Sequence, residues 1–113
     1  MAAPFPATTV IDQGRDWFLT VIWNDSNGDP VNLAGYTSTF CIREDYDEPV
    51  LLTLTDGDGI TIIAAAGQFD LHITHEQSNL PEGTYVAELI ATLATVETSL
   101  LKGPIPIVNK VVP

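Results

Sequence analysis

Positive charge is the scarcest commodity in this chain. Its 113 residues include four basic side chains (Arg15, Arg43, Lys102 and Lys110) against fifteen acidic ones, for a formal net charge of −11. Phosphate backbones are gripped by clustered Lys and Arg, so nucleic acid is not an expected partner. An anionic membrane surface is disfavoured for the same reason. Cysteine is almost missing as well. The single thiol, Cys41, cannot close an internal disulfide, and nothing points to a secreted disulfide framework. It lies between Phe40 and Ile42 in a strand-like run, which favours a packing role over a reactive one. No stretch approaches the ~18–20 apolar residues of a membrane span. Met1 to Thr9 lacks the basic and apolar regions of a signal peptide, so the expectation is synthesis without export.

What the chain does have is alternation. Hydrophobic residues make up 45% and charged ones 17%, a globular composition, and 113 residues are enough for one domain with a two-layer core. In Gln68 to Thr74, Phe69, Leu71 and Ile73 fall on one side and Gln68, Asp70, His72 and Thr74 on the other. After Pro81-Glu82-Gly83, Tyr85, Ala87, Leu89, Ala91 and Leu93 repeat the pattern. Arg15 to Trp23, Tyr36 to Arg43, Val50 to Thr55 (Val50, Leu52 and Leu54 inward), Ile60 to Ile63 and Val96 to Lys102 read as further strands. Pro104 and Pro106 restrict Ile105 to Val112 to an edge strand or extended tail. Thr74 to Leu80 is the one helical candidate, limited to a turn or two before Pro81. Short strands with turn signals every ~8–12 residues predict an all-β fold, an antiparallel β-sandwich of seven to eight strands. The expected layout is an extended Pro-rich arm over 1–11, the sandwich over 12–108 and a tail over 109–113.

Few residues argue for chemistry. Asp25, Asn27 and Asp29 have the spacing that opens a calcium loop, but Pro30 replaces the flexible glycine and Tyr36 the closing acid. A solvated turn explains them better, as it does Asp56-Gly57-Asp58-Gly59. His72 and His75 lack the third and fourth ligands zinc requires and read as surface histidines. Glu44, Asp45, Asp47 and Glu48 read as a charged loop. With no nucleophile elbow or phosphate-binding loop, no enzyme, metal or cofactor is expected. Trp17 and Trp23 share the parity of Leu19 and Val21 and belong to the core.

The notable excess is on the second face. Phe18, Ile22, Leu51, Val86 and Ile90 fall on the side of their strands that water should wet. This predicts contact with other subunits. Phe5, Phe18, Ile22, Ile90, Ile105 and Ile107 are the expected interface residues, with the Pro-rich termini as arms laid against neighbours.

The order of motifs adds a resemblance. Asp12-Gln13-Gly14-Arg15-Asp16-Trp17 is followed by the stretch from Trp23-Asn24-Asp25 through Asn32-Leu33-Ala34-Gly35-Tyr36, and then by Ile42-Arg43. Gly59-Ile60-Thr61-Ile62, Ala66-Gly67-Gln68-Phe69-Asp70-Leu71, Leu80-Pro81-Glu82-Gly83-Thr84-Tyr85 and Leu101-Lys102-Gly103 complete the series. Over about Asp12 to Val108 it resembles short tailed-phage virion proteins with an immunoglobulin-like sandwich, similar to the N-terminal domain of siphophage baseplate upper proteins. The resemblance implies a non-enzymatic adaptor in a tail or baseplate, made in the host cytoplasm and assembled in a symmetric homo-oligomer with other virion proteins. The chain ends at Pro113 without a coiled coil or receptor-binding domain, which suggests a small connector. A capsid decoration protein is the alternative, and a calcium-dependent carbohydrate-binding module a second one.

Overall fold

The computed structural model describes Phe5 and residues 9–108. Most of the expected arm and the whole of the 109–113 tail lie outside the described residues. Eight strands form: β1 (Ile11–Asp12), β2 (Trp17–Ile22), β3 (Thr37–Arg43), β4 (Val50–Asp56), β5 (Gly59–Ile63), β6 (Gln68–Ile73), β7 (Gly83–Leu93) and β8 (Val96–Val108). The only helical element among the described residues is a 3-10 turn at Ala64–Ala66.

Hydrogen bonding links the strands in the order β1-β8-β7-β3-β4-β5-β6-β2. The junction between β4 and β5 is slight, a parallel pairing of Thr55 with Gly59 and Asp56 with Ile60. There the sheet folds over, and β5-β6-β2 lies on β8-β7-β3-β4. Trp17 of β2, at the end of the order, stacks on Phe40 of β3, in its middle, with ring centroids 6.1 Å apart. Three strands facing four, with the two-residue β1 at the rim of the four, in this order is an immunoglobulin-like arrangement, with β2 and β6 in one sheet opposite β3 and β7 in the other. Two pairings are parallel, β4 with β5 and β1 with β8; the other ladders are antiparallel.

A second hallmark lies at the start of β7. The Tyr85 hydroxyl donates to the Pro81 carbonyl at 2.6 Å, closing the corner that leads into the strand. Two residues on, antibody domains carry a disulfide cysteine; here the position holds Ala87, buried. Packing replaces the crosslink. The core comprises Phe40, Ile42, Leu54, Ile60, Phe69, Leu71, Ile73, Leu89 and their neighbours. Each fully buried Leu, Ile or Phe contributes about 1.5–3 kcal/mol.

The alternation of β6 and β7 appears as expected, with alternate residues from Phe69 to Ile73 and from Tyr85 to Ala91 buried. Leu93 breaks step: it has run past the end of the core and is exposed. Val50, expected inward, is exposed too, because the register against β3 shifts between Ile42 and Arg43 and sets Val50 opposite Arg43. The two segments expected after Thr95 are one continuous strand, β8, paired with β7 from Val96 to Ile107. Successive N–H groups of a strand point to alternate sides, so Pro104 and Pro106 lack theirs on the same side. That side faces outward, where among the described residues only the two-residue β1 pairs.

Thr74 to Leu80 is a single turn. The Thr74 hydroxyl accepts from the Gln77 N–H at 3.3 Å, and the Gln77 side-chain oxygen accepts from the Thr74 N–H at 3.0 Å. This is a reciprocal capping box that starts a helix, yet Pro81 follows too soon for one to grow. The connection after β2 depends on Gly67, at φ 62. A Cβ there would lie 2.6 Å from the Trp23 carbonyl oxygen and 3.0 Å from the backbone of Val31. Only glycine lets those two segments approach.

Candidate functional site

The outer face of β5-β6-β2 is built of cross-strand rows fixed by register. Phe18 lies opposite His72, Thr20 opposite Asp70, and Ile22 opposite Gln68, while Thr61 and Ile63 continue the last two rows on β5. Phe18 is 68% exposed and Ile22 56%, with Ile63 exposed beside them. Polar groups fill the middle row: Thr20 Oγ1 and Gln68 Nε2 both donate to Asp70 Oδ1, at 3.0 and 2.8 Å. Phe18 lies flat on the His72 ring, 4.4 Å between centroids.

Beyond Phe18, Asp16 brings the two histidines together. Its Oδ1 accepts from the His75 N–H at 2.6 Å and lies 3.3 Å from His75 Nδ1; its Oδ2 is 3.6 Å from His72 Nε2. The His75 N–H holds the Asp16 carboxyl below its ordinary 3.8; loss of hydration opposes it, and the neighbouring His75 and His72 rings add to the lowering. Among the described residues, no group of three or more His, Cys, Asp or Glu is placed to hold a metal. The sequence did not reveal this cluster, since Asp16 and His75 are 59 residues apart. Only the β2–β6 register, Trp17 opposite Ile73, puts them side by side.

β2 is also the end of the sheet. Among the described residues it pairs with β6 alone, so one side of its backbone carries no ladder there. Leu19 and Val21 point inward yet are only half-buried, unlike Phe69, Leu71 and Ile73 next door.

The opposite sheet carries a second feature, a hollow of about 320 Å³ lined by Cys41, Arg43, Tyr46, Val86, Glu88 and Lys102, among others. Lys102 Nζ sits 5.6 Å from the centre of the Tyr46 ring, and Arg43 donates to the Glu48 carbonyl at 2.8 Å. Glu88 accepts from Ser99 Oγ at 2.6 Å. Two of the four basic residues thus converge beside an acid already engaged. Cys41 lies on this outer face, half-buried opposite Thr53, rather than with Phe40 and Ile42 in the core.

The expected interface residues separate into three groups. Phe18 and Ile22 are exposed on the open edge. Ile90 is half-buried at the rim of the hollow. Phe5, Ile105 and Ile107 are not surface residues; they are buried, with Phe5 edge-on to Phe40 at 6.1 Å and Ile107 paired with Ile11. Pro104 and Pro106, next to Ile105 and Ile107, suggested an arm for neighbours, but the segment is used by this chain's own core. Asp25 is engaged in its turn: one carboxylate oxygen accepts from the N–H groups of Asn27 and Asp29, at 2.9 and 3.1 Å.

No protein-family model matches this chain, and a search of curated proteins finds no match.

Proposed function

We propose that the chain is a non-enzymatic structural protein of a tailed-phage virion. In this reading it is an adaptor of the tail or baseplate that joins the tail to fibres or receptor-binding proteins through symmetric self-association. The observation that carries the reading is the placement of Phe18 and Ile22, two large apolar side chains in water on a strand whose outer backbone has no partner among the described residues. Apolar surface on an open sheet edge is what a protein keeps when another subunit covers it. The ordered motifs from Asp12 to Gly103 supply the virion setting, and the immunoglobulin-type sandwich is the fold their resemblance implies.

The test is immunogold labelling of intact virions with an antibody against the chain, alongside mass spectrometry of the same particles. Gold at the tail end is the expected result. Gold over the head would move the protein to capsid decoration, and its absence from virions would sink the reading.

A further inference from the structure

We infer that β2 pairs antiparallel with β2 of a second copy of this chain, across a two-fold axis at Thr20. The inference rests on the self-association proposed above and names the surface that performs it.

The backbone fixes which groups are available. The Trp23 N–H donates to the Gly67 carbonyl at 2.8 Å, on the β6 side. Alternation along the strand then turns the N–H and C=O of Phe18, Thr20 and Ile22 to the open side. An antiparallel partner must pair such residues with each other. With Thr20 opposite Thr20, Phe18 meets Ile22 of the second copy and Ile22 meets its Phe18. Three residue pairs thus exchange backbone hydrogen bonds, and β5-β6-β2 becomes half of a continuous six-stranded sheet.

The side chains of β2 fit that register. Phe18, Thr20 and Ile22 share the outer face, so the new pairs are aromatic against β-branched at both ends and threonine against threonine at the centre. All are favourable cross-strand pairs. On the inner face, the half-buried Leu19 is set against Val21 of the second copy, which removes more apolar surface from water.

Charge favours a second copy at this strand. The chain carries −11 overall, so most faces would oppose acid to acid, but Trp17 to Ile22 holds no charge. Asp70 in one copy stands three strand spacings from Asp70 in the other, about 14 Å, beyond the ~8 Å screening length of physiological salt. Continued past the strand ends, the register sets Asp16 against Asn24 and Arg15 against Asp25, so no acid faces an acid.

Sedimentation equilibrium and amide hydrogen exchange of the whole chain, over a range of concentrations, test this together. The expected result is a dimer in which the amides of Phe18, Thr20 and Ile22 gain protection as concentration rises. Leu19 and Val21, already turned toward β6, should not change. Thr20→Pro removes the central N–H on the open side, where it bonds to none of the described residues, and proline is tolerated on an edge. It should weaken the dimer about a hundredfold, by loss of both central hydrogen bonds and the steric block, with the thermal melt of the monomer kept. Phe18→Lys, which adds charge without touching the backbone, should do likewise. A chain that stays monomeric overturns the inference. So does a dimer that leaves Phe18, Thr20 and Ile22 unprotected and survives both substitutions, although that outcome leaves self-association, and hence the adaptor reading, standing.

Discussion

The sandwich has two ends, finished in opposite ways. At one, β8 carries Pro104 and Pro106 with their missing N–H groups outward, β1 lies against Ile107 and Val108, and Ile105 and Ile107 are buried. At the other, β2 has no proline, no charge within it and, among the described residues, no covering strand, and its Phe18 and Ile22 stand in water. Edges are usually blunted to prevent sheet-to-sheet association. Only one of these is. An isoleucine at the first end therefore works for stability, while one at the second is available for assembly.

The sharpest way to break that contrast is to delete the same side chain at both ends. Ile107→Ala should cost about 2–5 kcal/mol in urea unfolding, the range for a fully buried isoleucine. Tyr85→Phe, at the corner that feeds β7 beside the closed edge, should cost about 1–2 kcal/mol for the lost bond to Pro81. It also alters the alkaline limb. Burial, and then the charge of Glu44, hold the Tyr85 phenol neutral above its ordinary 10.0. The unfolded phenol ionises first, so stability is complete below about pH 10 and falls as pH rises through the folded value. Melts of Tyr85→Phe above pH 10 should lack that component of the decline.

Beside the open edge the sign reverses. Asp16 ionises more readily folded than unfolded, so its contribution is present above 3.8 and is lost as pH falls through the folded value. Asp16→Asn should flatten the acid limb of a stability profile taken between about pH 2 and 5. The smallest effect belongs to Ile22→Ala, expected to change monomer stability by no more than ~0.5 kcal/mol. A large loss there would mean that the open edge works for stability after all.

The parts legible in the sequence were those where one face is buried and the other wet. β6 and β7 declare themselves through strict alternation, and β2 through the Trp17–Leu19–Val21 stripe. Reading failed where the period breaks or where a partner is distant. The shifted register beside Val50 puts adjacent apolar residues outside together. Prolines in β8 left an edge strand and an extended tail both open, and hid that the strand is continuous with the one before it, because missing N–H groups on an outer side do not interrupt a ladder on the inner one. Of the candidate site, Phe18 and Ile22 were readable as apolar residues at wet positions. The Asp16–His72–His75 cluster was not, since it exists only through the pairing of β2 with β6.

That pairing has a consequence in time. Of the strands described, only β1 leaves the ribosome before β2, but the partner of β2 lies more than fifty residues later, Trp17 against Ile73. At roughly 5–20 residues per second of synthesis, the strand waits several seconds with both of its backbone edges open. Nascent chains on neighbouring ribosomes of one message would meet in that interval, before any sandwich exists to present the strand in its proper orientation.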